Sequence, residues 1–193
     1  MSDHTWECPC GGFIAKLKGP PVFDFNCHCH SCVAPARYLD GKFSSARSAL
    51  VNGGVGKVFW LLENIELPAD GLAFLKVGES GENVRSYTAC CGTLFNSAGG
   101  KQFPVPARPL TRNNVKAADG SAYVPADPKQ CTDCLTQYAF GDYTLPEPHF
   151  DGMSDALQAG FGLCGGALVP DEIDPRWLKV GEDVSEVVPI TWE

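Results

Sequence analysis

The sequence is short of methionine (2), of histidine (4) and of positive charge, with 15 Lys and Arg against 23 Asp and Glu. The formal net charge is −8 and the sequence pI about 4.9, a balance that disfavours nucleic acid and anionic membranes, both of which attract Lys/Arg-rich surfaces. No apolar run approaches the roughly 18–20 residues of a membrane-spanning helix. Neither nucleic acid nor a membrane is therefore expected as a partner. The opening Met1-Ser2-Asp3-His4-Thr5-Trp6 lacks a basic stretch followed by an apolar one, so no secretory signal and a cytoplasmic location are expected. At 193 residues, 44% hydrophobic and 20% charged, the chain fits one globular domain with a core of ordinary size. What it has in excess is 10 Cys, and 36 Gly plus Pro (21 + 15). In a reducing compartment, clustered cysteines point to metal rather than to disulfides.

The first hundred residues read as short β-prone runs between turn residues. Gly12 to Leu17 and Val22 to Asn26 flank Gly19-Pro20-Pro21, which breaks any helix. Lys57 to Leu62, Leu72 to Val77 and Val84 to Ala89 follow, so an all-β sandwich or small barrel is expected. Phe43 to Leu50 reads as a short helix. From Gly99 to His149 the pattern weakens; seven prolines lie from Pro104 to Pro148, and an extended loop is expected there. Met153 to Ala159 reads as a two-turn helix, and Val184 to Trp192 as a last strand confined to an edge by Pro189. The expectation is one zinc-binding domain over 1–193, with a core of about 6–100 and a loop-rich elaboration over about 101–193.

The strongest motif is Asn26-Cys27-His28-Cys29-His30-Ser31-Cys32. Thiolates are strong ligands for Zn²⁺, and cysteines two apart in extended backbone leave the same face, so a tight turn suffices to add Cys32. The same alternation sends His28 and His30 the other way. Three thiolates without a local fourth is the count of a site with one position open to water or substrate; a fourth ligand from elsewhere would make it a structural staple. Cys8 and Cys10, before Gly11-Gly12, supply only two ligands, and the far partners are Cys90 and Cys91. Adjacent cysteines point oppositely on a regular strand, so both reach one ion only at a turn or bulge. Cys131 and Cys134 have zinc-knuckle spacing but no second pair, leaving His4, His149 and Cys164 as further ligands. Cys164, before Gly165-Gly166, otherwise reads as structural.

Read together, Cys8-Pro9-Cys10-Gly11, Cys27-His28-Cys29-His30-Ser31-Cys32 and Cys91-Gly92 resemble the glutathione-dependent formaldehyde-activating enzyme family, which includes centromere protein V. The resemblance covers residues 6 to 100. It implies an Mss4-like fold of folded β-sheets and two zinc ions per chain. Carried over by position, Cys8, Cys10 and Cys91 would hold a structural zinc, and Cys27, Cys29 and Cys32 the catalytic one. The family's last motif is C-x-x-C-G, whereas Thr88 stands three residues before Cys91. Either Cys90 takes over as the fourth ligand or that site is incomplete.

The implied activity is that of a carbon–sulfur lyase joining glutathione, as co-substrate, to formaldehyde as S-(hydroxymethyl)glutathione. The carboxylates of glutathione need a basic contact, for which Arg37 is the nearest candidate after Cys32. Two alternatives are a lyase of the same fold acting on a larger substrate, accommodated by the C-terminal half, and a non-catalytic zinc-stapled binding module. A chromatin- or microtubule-binding role would call for a basic extension, which an acidic chain does not provide. A disulfide oxidoreductase would want its C-x-x-C at the start of a helix, and Cys131 and Cys134 lie in a Pro-rich stretch instead.

Overall fold

A computed structural model describes residues 4–78, 83–97, 106–125, 131–134, 149–150, 171–179 and 183–189. These residues are mostly β-sheet with one α-helix, as the all-β expectation requires at its coarsest. The first strands are β1 (His4–Glu7), β2 (Ile14–Leu17), β3 (Phe23–Cys27), β4 (Leu50–Val51), β5 (Gly54–Leu61), β6 (Ile65–Glu66), β7 (Leu72–Val77), β8 (Asn83–Thr88) and β9 (Leu94–Ser97). Beyond residue 100 lie β10 (Ala107–Thr111), β11 (Val115–Lys116), β12 (Cys131–Cys134), β13 (His149–Phe150) and β14 (Val187–Val188). Among the described residues these form a four-stranded sheet ordered β11-β1-β2-β6 and a ten-stranded one ordered β13-β12-β3-β5-β10-β9-β8-β7-β14, with β4 also on β5.

Strand alternation divides the core into two layers. On one face of the large sheet Val55 and Phe59 of β5 join Phe25, Cys27, Leu75 and Tyr87 beneath helix α1 (His30–Lys42), which contributes Val33, Ala36 and Leu39. On the other face Val58 and Trp60 join Phe95 and Leu110 against Trp6, Ala15 and Leu17 of the small sheet. Trp6 seals this layer edge-on to Phe95 (ring centroids 4.7 Å apart), and its indole N–H donates to the Thr111 carbonyl at 2.9 Å. A ring that size is buried without penalty only when its N–H is satisfied.

Two expectations are overturned. The helix is not at Phe43 to Leu50, where the chain turns at 44–45 and then enters β4, but at His30–Lys42 immediately after the cysteine motif. Its mixed composition and internal Pro35 hide it from propensity. The Pro-dense region after Gly99 is also not all loop: β10 contains Pro109 yet is buried at all five positions and pairs with β5 from Ala107↔Leu61 to Thr111↔Lys57. Strands from beyond residue 100 thus belong to both sheets, β10 in the interior of the large one and β11 at an edge of the small one. Pro189 does follow an edge strand, β14, which pairs in parallel with β7. Met153 to Ala159, Cys164 and the end of the Val184 to Trp192 run lie outside the described residues. Among the described residues no helix is long and apolar enough to cross a membrane.

Candidate metal centres

Among the described residues two groups of cysteine side chains could hold a metal ion: Cys8, Cys10, Cys90 and Cys91, and Cys27, Cys29 and Cys32, the sulfurs of each lying within 4.8 Å of one another. The first joins two turns. Cys8 and Cys10 occupy the β1–β2 connection of the small sheet, and Cys90 and Cys91 the β8–β9 connection of the large one. Their sulfurs are 3.4 Å (Cys8–Cys10), 3.6 Å (Cys8–Cys90) and 3.2 Å (Cys10–Cys90) apart. Thiolates at tetrahedral corners around an ion with 2.3 Å bonds would stand about 3.8 Å apart, a little wider than these separations, so the four sulfurs are grouped closely enough to hold one metal ion. Such an ion would tie the two sheets together.

Cys90 stands in the four-cysteine group, and Thr88, three residues before Cys91, lies against the Cys91 sulfur. Ala89, Cys90 and Cys91 form a tight turn closed by Gly92 N–H donating to the Thr88 carbonyl at 2.8 Å, which brings adjacent cysteines to one side. Gly92 has φ +75°, and a Cβ there would fall 2.1 Å from the Phe43 ring, so no other residue fits. Across the site a Cβ on Gly12 would come 3.1 Å from Cys90 Sγ. The hydroxyls of Thr88 and Thr93 lie 3.2 and 3.3 Å from Cys91 Sγ, and Phe13 N–H donates to Cys8 Sγ at 3.2 Å. Burial pushes the Cys91 thiol up, but the Thr88 and Thr93 hydrogen bonds outweigh it and bring it down to about 6. Burial, then hydrogen bonds with Cys10 and Cys8, push Cys90 up to about 12. Crowded thiols divide in this way because neighbouring negative charges oppose one another; a divalent ion removes the conflict.

The second group is built at a strand-to-helix corner. Cys27 ends β3, Cys29 is the residue before α1, and Cys32 is the third residue of that helix. The turn expected to deliver Cys32 is the first helical turn, in which the N–H groups of Cys32 and Val33 both reach the Cys29 carbonyl at 3.0 Å. Cys27 and Cys29 sulfurs are 3.2 Å apart. The helix N-terminus adds a favourable field for thiolate. Hydrogen bonds with Cys27 and Cys32, together with burial, raise the Cys29 thiol, while those from Cys27 and Cys29 hold Cys32 well below its ordinary value, aided by the charges of Lys57 and Arg85. His28, fully buried, and His30 are not in the group.

Lys57 and Arg85 are the residues that sequence reasoning missed. Both are buried, at 8% and 6% exposure. Arg85 Nη2 lies 3.9 Å from Cys32 Sγ and donates to the Ser31 carbonyl at 3.0 Å. Both line a small cavity with Cys32. The available signal was a lysine inside the otherwise apolar Gly54–Leu61 run. Arg37, by contrast, is on the exposed side of α1, about 140° around the helix axis from Cys32 at 100° per residue.

Cys131 and Cys134 begin and end β12. β12 runs parallel to β3 with Cys131 opposite Asp24 and Cys134 opposite Cys27. No known family model and no curated protein matches the chain.

Proposed function

We propose that the chain is a zinc-dependent carbon–sulfur lyase acting on glutathione adducts, similar to S-(hydroxymethyl)glutathione synthase and built on an Mss4-like fold. One observation carries this reading: among the described residues four cysteines converge at one centre and three at the other, and the three-thiol centre is the one flanked by buried cations. Four thiolates are the count of a closed structural zinc, and three leave a position for substrate. Cys8, Cys10, Cys90 and Cys91 would hold the structural ion, and Cys27, Cys29 and Cys32 the catalytic one. When bound there, zinc supplies Lewis acidity and a template for thiol and aldehyde.

The protein's own groups do the rest. The α1 N-terminus and the three sulfurs fix the site at a rigid corner, which supplies proximity. The Arg85 guanidinium reaches the Cys32 side of it, and Cys27 and Cys32 are buried in the same apolar cluster as Phe25, Val33 and Tyr87. The test is zinc per chain and turnover. Wild type should carry two zinc ions and Cys29→Ser one while folded, and wild type alone should convert glutathione and formaldehyde to the hydroxymethyl adduct. A single zinc that survives Cys29→Ser overturns the reading.

A second reading has its own support. Cys134 is the Cα partner of Cys27 on the neighbouring strand. A fourth thiolate from that position would close the centre and make the protein a zinc-stapled binding module. Two tightly held zinc ions with no turnover of any glutathione adduct, and loss of one ion in Cys134→Ser, would establish it.

A further inference from the structure

The two centres share hydroxyl support and differ in the charge that faces them. At the four-thiol centre the named partners of the sulfurs are hydroxyls and a backbone N–H, from Thr88, Thr93 and Phe13. Cys10 and Cys90 there are exposed, so water can screen surplus negative charge. At the three-thiol centre the Ser31 hydroxyl lies 3.2 Å from Cys29 Sγ, and buried cations stand on the Cys32 side. The Arg85 guanidinium is 3.9 Å from Cys32 Sγ, and its Nε has no hydrogen-bond partner among the described residues. Lys57 stands on the helix-facing side of β5 between Val55 and Phe59, and it shares with Arg85 and Cys32 the walls of a cavity that Asn96 and Thr111 also line.

Buried cations are costly unless negative charge faces them. Three thiolates and one divalent ion sum to −1, and adding Lys57 and Arg85 makes the assembly +1. A single monoanion in the fourth position brings it to zero, whereas a neutral aldehyde or water leaves it charged.

We propose that Lys57 and Arg85 make the fourth position beside Cys27, Cys29 and Cys32 selective for a monoanionic ligand, a substrate thiolate, received on the Cys32 side against the guanidinium. This rests on the reading of that centre as an open metal site. A thiol held there would be bound as its thiolate, with the S–H proton released to solvent, and the two cations would balance its charge. The specificity residues are Lys57 and Arg85.

The probes are 2-mercaptoethanol and its thioether, 2-(methylthio)ethanol, titrated into protein loaded with two cobalt(II) ions per chain and followed by the visible cobalt spectrum. Wild type should bind the thiol at least tenfold more tightly than the thioether and release one proton per thiol bound in weakly buffered solution. Arg85→Met and Lys57→Met should each weaken the thiol by tenfold or more with the thioether unchanged, and Arg85→Lys should recover part of the loss. Equal affinity for the two probes, or no proton release in wild type, overturns the inference even if the variants fail to fold. Failure to load a second ion overturns the metal reading itself and is seen before any probe is added.

Discussion

Arg85 donates from Nη2 to the carbonyl of Ser31 at 3.0 Å, and Ser31 is the helical acceptor that Pro35 leaves without a donor. An α-helix pairs each N–H with the carbonyl four residues back, and proline at 35 has no N–H to give. The gap sits in the first turn of α1, one residue before Cys32. A side chain from β8 fills it, and the same guanidinium then faces the sulfur. The proline thus opens the docking point for the cation.

Pro35→Ala would restore a backbone donor to Ser31 and put it in competition with Arg85. A recovered helical bond is worth about 0.5–1.5 kcal/mol, which offsets the lost packing of the buried ring. Stability by urea unfolding should therefore move by less than about 1 kcal/mol, while thiol affinity at the three-thiol centre falls several-fold. A variant with unchanged thiol affinity would separate Arg85 from the site.

Thr88→Val removes the hydroxyl 3.2 Å from Cys91 Sγ but none of the four thiols. Supports of this kind are worth about 10–100-fold in metal affinity. Competition against a chromophoric chelator should show that loss, with two zinc ions still bound at saturation. Loss of an ion outright would make Thr88 indispensable for the fold of the turn.

Glu186 fastens the segment before β14 to the helix layer by accepting from Tyr38 Oη at 2.8 Å and Tyr87 Oη at 2.6 Å and by pairing with Lys42. Burial pushes its carboxyl up, but these three partners outweigh it and hold the pKa below the usual value. A depressed carboxylate contributes stability above its unfolded pKa and loses it as pH falls through the folded one. Glu186→Gln should cost about 1–3 kcal/mol near neutrality and flatten the acid limb below about pH 4.5. Thermal unfolding from pH 3 to 7 reads both.

Asp24 behaves in reverse. Burial pushes its pKa up to about 6, against the Tyr123 hydroxyl at 2.7 Å and the Arg112 guanidinium at 3.8 Å, which both act to lower it. The folded state therefore binds a proton more tightly than the unfolded one, and stability declines as pH rises from about 4 to 6. At 1.36 kcal/mol per pKa unit the loss approaches about 3 kcal/mol. Asp24→Asn should remove that decline. An unchanged profile would mean that Asp24 stays ionised in the fold.

Much of the frame is legible in the residues themselves. β7 has the bounds read from its alternation, Leu72–Val77, and β8 is displaced by one residue, because period-2 patterning is local. The cysteine groups are legible for the same reason: C-x-C sets two sulfurs on one face, and the turn at Cys90-Cys91 needs only Gly92 to close it. Helix α1 and strand β10 were hidden because Pro35 and Pro109 score against both elements, and tertiary burial outweighs that local preference.

What the sequence by itself determined is where the thiols are, how many belong to each motif, and that the chain is acidic and β-rich. Which group gathers four sulfurs and which gathers three was decided by the meeting of two turns from different sheets, residues about 80 apart in the chain. Which cations face the three-thiol group was decided by cross-strand register: Lys57 stands opposite Phe25, and Arg85 reaches back 53 residues to Cys32. Such placements depend on strand order, which no local pattern encodes, and burial then amplifies them because a charge excluded from water must be met by another.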